Sequence, residues 1–150
     1  MMIVAFFGHS KFLSAKEYEQ KIIDYLEERV GDQEADMYLG GYGDFDNFAY
    51  ACCKKFKETH PNVSLLFITP YITEKYQKSR LEYEKEKYDG ILYPEIENKP
   101  LKFAIFYRNK WMVEKADYII FGVCLSTGGA YKAYQYAKKV NKECFNVMGR

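Results

Sequence analysis

The sequence predicts a single α/β domain over residues 1–150, in which a mainly parallel sheet is covered by helices on both faces. Three observations support this prediction. Short apolar segments alternate along the chain with longer segments of helical periodicity. The apolar segments are continuous, which is typical of strands buried on both faces, whereas a half-exposed strand alternates. The length of 150 residues is that of one domain, and we find no internal repeat.

The first strand is predicted over residues 2–7, an uninterrupted apolar run. This run is too short for a membrane span and lacks the basic flank and cleavage site of a signal peptide. A helix follows, because Ser14 and Glu17 form a capping box and apolar residues then recur every four positions. Gly31 ends this pattern, and residues 35–39 form the second strand.

The remaining predicted elements continue the same alternation. They are a helix over residues 45–57, a strand over 64–69, a helix over 101–116, a strand over 118–123, a helix opening at 126–129, and a strand over 143–147. The order strand-helix-strand is typical of a parallel sheet with right-handed crossovers. The predicted architecture is therefore a Rossmann-like three-layer sandwich with a mainly parallel five-stranded sheet.

Residues 71–100 depart from this alternation. They combine thirteen charged residues of both signs with five tyrosines. We interpret the segment as a solvated helix over about residues 74–88, followed by a short extra edge strand near residues 91–93. The alternatives are a lid over the site and a homo-oligomer interface that uses the tyrosines.

Charge and cysteine content argue against several classes of function. The chain has 22 basic and 21 acidic residues and a net charge of +1. We identify no stretch with the excess of one sign that marks a nucleic-acid or membrane partner, so we expect neither. The four cysteines form no C-x-x-C pair and only two histidines are present. We therefore expect no metal site and no cofactor, and we expect free thiols in the cytoplasm.

Glycine and small polar residues follow three of the predicted strands. The loops contain Gly8, His9 and Ser10 after the first strand, Gly40, Gly41, Tyr42, Gly43 and Asp46 after the second, and Thr127, Gly128 and Gly129 after the fourth. Ligands of open parallel sheets bind at the carboxyl ends of the strands. Glycine permits close approach of the backbone, and a helix N-terminus attracts anions, so we predict a phosphate-binding site. The alternative is that the glycines form tight turns, with Asp46 and Thr127 as N-caps.

Three polar residues near these loops allow more than one role. His9 either contacts the ligand or ties its own loop down, and a role as general acid or base is a further alternative. Arg108 and Asn109 lie in the helix before the fourth strand. An arginine among apolar residues needs a partner, which is either a ligand phosphate or a buried carboxylate such as Asp46.

Several motifs, taken in order along nearly the whole chain, match one protein group. They are Ala5-Phe6-Phe7-Gly8-His9, the loop from Gly40 to Asp46, Arg108-Asn109 with Met112-Val113, the run Ala116-Asp117-Tyr118-Ile119-Ile120, Gly128-Gly129, and Tyr136-Ala137-Lys138-Lys139. This pattern resembles the SLOG superfamily, which groups the DNA-processing Smf/DprA proteins with the LOG phosphoribohydrolases and includes the small YpsA-like proteins. The resemblance implies a Rossmann-like site for nucleotides or ribosyl phosphates. Two departures are Ser10, where the group has arginine, and Asp44, which replaces the last loop glycine.

The resemblance also bears on activity. LOG enzymes carry glutamates just after the last glycine loop, whereas this chain has no carboxylate over residues 130–133. We therefore expect a sensor or carrier module that binds a nucleotide or a nucleotide-derived ribosyl phosphate. The alternatives are a LOG-like N-glycoside hydrolase, with Asp46 or Glu114 as its carboxylate, and a structural or partner-binding protein. Whether the chain is an enzyme stays open.

Overall fold

The computed structural model describes residues 1–149 and contains one six-stranded sheet. The strands are β1 (Met2–Gly8), β2 (Ala35–Leu39), β3 (Val63–Ile68), β4 (Gly90–Leu92), β5 (Tyr118–Gly122) and β6 (Glu143–Asn146). Their order across the sheet is β4-β3-β2-β1-β5-β6, and every neighbouring pair is parallel. The strand order therefore reverses at β1, which lies between β2 and β5.

Helices cover both faces of the sheet. They are α1 (Lys16–Arg29), α2 (Gly43–Thr59), α3 (Glu74–Tyr76), α4 (Glu82–Glu84), α5 (Ala104–Lys115) and α6 (Gly129–Lys139). A π-helical stretch, Gln77–Leu81, joins α3 to α4, and a 3₁₀ turn, Leu101–Phe103, precedes α5. Within residues 1–149, no helix is both long and apolar enough to cross a membrane.

Alternate residues of the strands point to two separate cores. Val4 and Phe6 of β1 pack with buried residues of α1 and α2. Ala5 and Phe7 of the same strand pack on the other face, with buried residues of α5 and α6. This alternation follows from the two-residue period of a strand, and it produces the three layers of the predicted architecture.

The predicted α/β class, the parallel sheet and the helices on both faces are confirmed, but the sheet has six strands rather than five. The additional strand is β4, the short edge strand that the sequence placed near residues 91–93. It pairs only with β3, from Leu66–Gly90 to Ile68–Leu92. Three residues are too few to produce a clear pattern of hydrophobic residues.

The expected capping box of α1 and the two N-caps of the alternative interpretation differ from the structure. The N-cap of α1 is Ala15, which makes no side-chain bond, so the capping box at Ser14 is wrong. Asp46 lies inside α2, whose N-cap is Tyr42. The N-cap of α6 is Gly128, so Thr127 does not cap that helix. The cap predictions failed because each helix begins at a different residue from the one its pattern indicated.

The segment of residues 71–100 is not a fully solvated helix. The Arg80 guanidinium donates to the Gly41 carbonyl and lies 4.7 Å from the centre of the Tyr42 ring. Glu84 is buried, and its carboxylate lies 3.4 Å from the Arg80 Nε. The segment therefore packs against the loop between β2 and α2.

Candidate functional site

A crevice of about 220 Å³ opens at the carboxyl edge of the sheet, where β1 adjoins β5. It lies at the point where the strand order reverses, which is the expected ligand position in such a sheet. Ten of the predicted residues line it, namely Gly8, His9, Ser10, Gly40, Tyr42, Asp46, Arg108, Asn109, Gly128 and Gly129. Gly41, Gly43 and Thr127 do not line it. The loops after β1, β2 and β5 are thus brought together.

Four further residues line the crevice without having been predicted. Ile105 lies one helical turn before Asn109 on α5, and Ala130 follows Gly129 at the start of α6. Their spacing from predicted residues was a usable signal. Phe6 and Phe7 belong to β1, and an apolar strand residue gives no sequence signal of a site.

Arg108 is the buried cation of the crevice, with only 3% of its surface exposed. Its Nη1 donates to the carbonyls of Gly40 at 3.1 Å and Ile68 at 2.7 Å, and its Nε donates to Asn109 Oδ1 at 2.9 Å. Over residues 1–149, Nη2 donates to no group. Burial lowers the pKa of the guanidinium, and the nearby Asp46 opposes this shift. Carbonyl oxygens therefore hold Arg108, and one nitrogen is left for a further acceptor.

Asp46 is the buried carboxyl group of the crevice. Its Oδ2 accepts a hydrogen bond from the Tyr42 amide at 2.8 Å. Burial raises the pKa of Asp46 to about 6, although the Tyr42 amide and the Arg108 charge both favour the ionised form. The charge of the crevice therefore changes in mildly acidic solution.

The loop before α6 is open. Gly128 has a φ of +96°, and a Cβ built there would meet no atom of the described part of the chain within 4 Å. The helix has no acidic residue in its first turn and no side-chain cap. Its first amide groups thus lack an intrahelical hydrogen-bond partner. No acidic side chain in the first turn neutralises the positive end of the helix dipole that these groups form.

The loop before α2 is closed by the protein itself. Gly41 has a φ of +72°, and a Cβ there would lie 2.4 Å from the Phe67 ring. A Cβ on Gly43 would lie 2.6 Å from the Ser10 backbone. These two glycines permit close packing, which explains why they do not face the crevice.

His9 ties two loops together. Its Nε2 accepts hydrogen bonds from the amides of Cys124 and Leu125, both at 3.0 Å. Burial lowers the pKa of the ring, so the neutral form with its proton on Nδ1 is favoured. Because Nε2 is occupied, it is not a free base in this arrangement. Glu114, the other carboxylate considered for catalysis, accepts from the Tyr136 hydroxyl and does not line the crevice.

Comparison with known proteins finds similarity in structure alone. No profile of a known protein family matches the chain, and no curated protein matches it in sequence. The DNA processing protein A (DprA) of Streptococcus pneumoniae is similar, with a TM-score of 0.65 and 17% identity over 97% of this chain and 50% of that one. The DprA of Helicobacter pylori, a protein with a single-stranded DNA binding mode, has a TM-score of 0.61 and 19% identity over 97% of this chain and 64% of that one. The chain thus spans one half to two thirds of these proteins.

These structures correct the expected ligand. We expected a small nucleotide-type ligand and no nucleic acid, and both expectations are wrong, because the solved proteins of similar fold are DNA processing proteins and the Helicobacter protein binds single-stranded DNA.

The expectation from charge failed because a whole-chain average conceals an uneven distribution. Residues 99–142 contain nine lysines and arginines but only two acidic residues, whereas the rest of the chain contains thirteen basic and nineteen acidic residues. This basic segment includes α5 and α6, which both border the crevice.

At 17–19% identity the likeness concerns the fold, and it supports the SLOG superfamily resemblance without pointing to the YpsA-like group. The chain has the Rossmann-like fold of the DprA proteins.

Proposed function

We propose that this domain binds single-stranded nucleic acid and holds one backbone phosphate in the crevice. Two independent features support the proposal. The fold is similar to that of a Helicobacter pylori protein that binds single-stranded DNA. The crevice is also bordered by the basic segment of residues 99–142, which favours a polyanion.

The proposal depends above all on the buried Arg108, whose Nη2 has no partner in the described chain. A buried cation with a free donor is suited to a phosphate oxygen. Asn109 adds a second donor. Its Oδ1 accepts the hydrogen bond from Arg108, and its Nδ2 lies beside the start of α6, 3.9 Å from where a Cβ on Gly129 would be. The first amides of α6 add a third set of donors at the same wall.

The size of the crevice favours a phosphate on a flexible strand. About 220 Å³ accommodates a phosphate and part of its sugar, so the rest of the ligand must continue outside. A single strand can bend to bring a phosphate into such a recess, whereas duplex DNA is stiff over roughly 150 base pairs. We therefore expect a preference for single strands.

Two finer proposals rest on the sequence. Membership of the YpsA-like group rests on the order of the motifs around Gly8, Asp46 and Gly128. A cytoplasmic location rests on the four cysteines, which are free thiols in the structure. Cell fractionation with an antibody against the chain tests the second proposal.

The test of the function is fluorescence anisotropy with a labelled thymidine oligonucleotide about 15 nucleotides long, a length within the usual site sizes. The variant Ala130→Glu places a carboxylate at the crevice wall, in the first turn of α6. The helix dipole tolerates an acid there, so the fold is retained. We expect affinity to fall about tenfold or more, because the carboxylate repels the phosphate.

Gln135→Glu is the matched control, because it makes the same change in charge at an exposed position of α6 outside the crevice. We expect its affinity to stay within about twofold of the parent. The absence of strand binding by the parent protein at low salt would contradict the proposal. So would equal losses in the two variants.

A further inference from the structure

A groove of about 440 Å³ runs between α5 and α6 beside the crevice. The two depressions share Ile105, Asn109 and Gly129 in their linings. Small residues at Gly129 and Ala133 leave room between the helices. Crevice and groove therefore form one continuous path along the surface.

Positive charge lines the groove. Lys110 of α5 and Lys132 and Lys139 of α6 contribute to its lining, and no aspartate or glutamate among residues 1–149 does so. Lys132 and Lys139 are seven residues apart, which places them on the same face of α6. The groove is therefore complementary to the phosphates of a strand that leaves the crevice.

The groove also presents an exposed aromatic ring. Phe106 is 48% exposed although it is a large apolar residue. Its aromatic contact is with the neighbouring Tyr107, edge to face at 5.2 Å. Tyr136 lies across the groove, with Lys110 Nζ 5.3 Å from its ring centre. About half of Phe106 is thus accessible to another planar group.

We propose that this groove binds the nucleotide next to the phosphate in the crevice, with its base stacked on Phe106 and its backbone beside Lys132 and Lys139. This inference rests on the proposed function. Stacking platforms flanked by basic side chains are the usual means of binding single strands without regard to sequence. An acidic peptide would pair with the lysines, but it would not explain why the groove is continuous with the crevice.

The first test compares two phenylalanines. Phe106→Ala removes the ring in the groove, while Phe103→Ala removes a ring that is 47% exposed but lies outside the lining. With the labelled thymidine strand, Phe106→Ala weakens binding at least about fivefold, as loss of one stacked base does. Phe103→Ala stays within about twofold of the parent.

The second test compares two neighbouring lysines of α6. Lys139 lines the groove, whereas Lys138 does not. For Lys139→Gln, the slope of log affinity against log salt concentration becomes shallower by about 0.7, the value for one single-strand phosphate contact. The slope for Lys138→Gln equals that of the parent.

The third test locates the base directly. A strand containing 5-iodouridine is irradiated in the complex, and the crosslinked peptide is identified by mass spectrometry. Adducts on Phe106 or Tyr136 support the groove, and adducts confined to other residues overturn it. If Ala130→Glu abolishes binding while Phe106→Ala and Lys139→Gln behave as their controls, the groove proposal fails and the proposed function stands. If the parent protein binds no strand, both fail.

Discussion

The two glycine loops of the crevice, before α2 and before α6, have similar composition but opposite surroundings. In the loop before α2, a Cβ on Gly40 would come within 3.3 Å of Asp46 and Arg108, and one on Gly41 would overlap Phe67. In the loop before α6, a Cβ on Gly128 would meet no atom of residues 1–149 within 4 Å. The first loop is filled by the protein's own side chains, while the second is open.

This difference separates two uses of glycine that look alike in sequence. In the closed loop, glycine lets side chains from β3 and from residues 71–100 pack against the backbone. In the open loop, it provides a positive φ immediately before a helix and leaves the helix amides accessible. Only the open loop is therefore suited to bind a phosphate.

The largest expected effect distinguishes the two loops by stability. Gly41→Ala lowers the free energy of unfolding by about 3 kcal/mol, because a positive φ is strained and the new Cβ overlaps Phe67. Gly128→Ala lowers it by about 2 kcal/mol, since its φ of +96° and ψ of 172° are essentially restricted to glycine but the new Cβ overlaps no described atom. Urea denaturation of both variants measures this. Equal losses would mean that the two loops are not packed differently.

A pH titration tests Asp46, which lies in α2 and lines the crevice. The pKa of its carboxyl is about 6 in the folded protein, above the ordinary value of 3.8, so the folded state binds the proton more tightly. The resulting stabilisation, about 3 kcal/mol, is fully present below pH 4 and is lost as the pH rises through 6. Asp46→Asn removes this dependence, as urea denaturation across that range should show. An unchanged profile in the variant would assign the titration to another group.

The same proton affects binding. Neutralising Asp46 makes the crevice more positive, so affinity for the thymidine strand rises as the pH falls from 7 to 5. Asp46→Asn binds more tightly at pH 7, by about fivefold, and its affinity changes less with pH. Anisotropy at several pH values measures both effects. Weaker binding by the variant at pH 7 would contradict a phosphate near Asp46.

Arg80 tests what closes the loop before α2. Arg80→Met lowers the free energy of unfolding by about 2 kcal/mol, because it leaves the buried Glu84 without its ion partner. The double variant Arg80→Met with Glu84→Gln recovers part of this loss, since no unpaired charge remains. Thermal and urea denaturation of the single and double variants provide the measurement. If the double variant is less stable than the single one, the ion pair is not the cause.

The smallest effect concerns Ser10, which stands where the SLOG proteins carry arginine. Ser10 is exposed and lines the crevice, so Ser10→Arg adds a cation near the phosphate and strengthens strand binding about threefold at low salt. Ser14→Arg adds the same charge at an exposed position outside the crevice and serves as the control. Equal gains from both would indicate only a general attraction.

Much of the fold could be predicted from local pattern. Strands buried on both faces leave continuous apolar runs, and β1 and β5 were recognised from theirs. Parallel strands present their carboxyl ends at one edge, so the loops with Gly8, Gly40 and Gly128 were expected to meet there, and they do. The charge of residues 99–142 was also countable from the sequence, but the near-zero total concealed it.

Other features depend on residues far apart in the chain. Nothing near Gly41 in sequence indicates that Phe67 and Arg80 close its loop, and nothing near Lys110 indicates that it faces Lys132 across a groove. Periodicity and turn chemistry are local properties, which is why the order of elements and the edge of the sheet followed from them. Which glycine loop is filled and which is open was decided by packing between distant segments, because shape and charge complementarity exist only once the chain is folded.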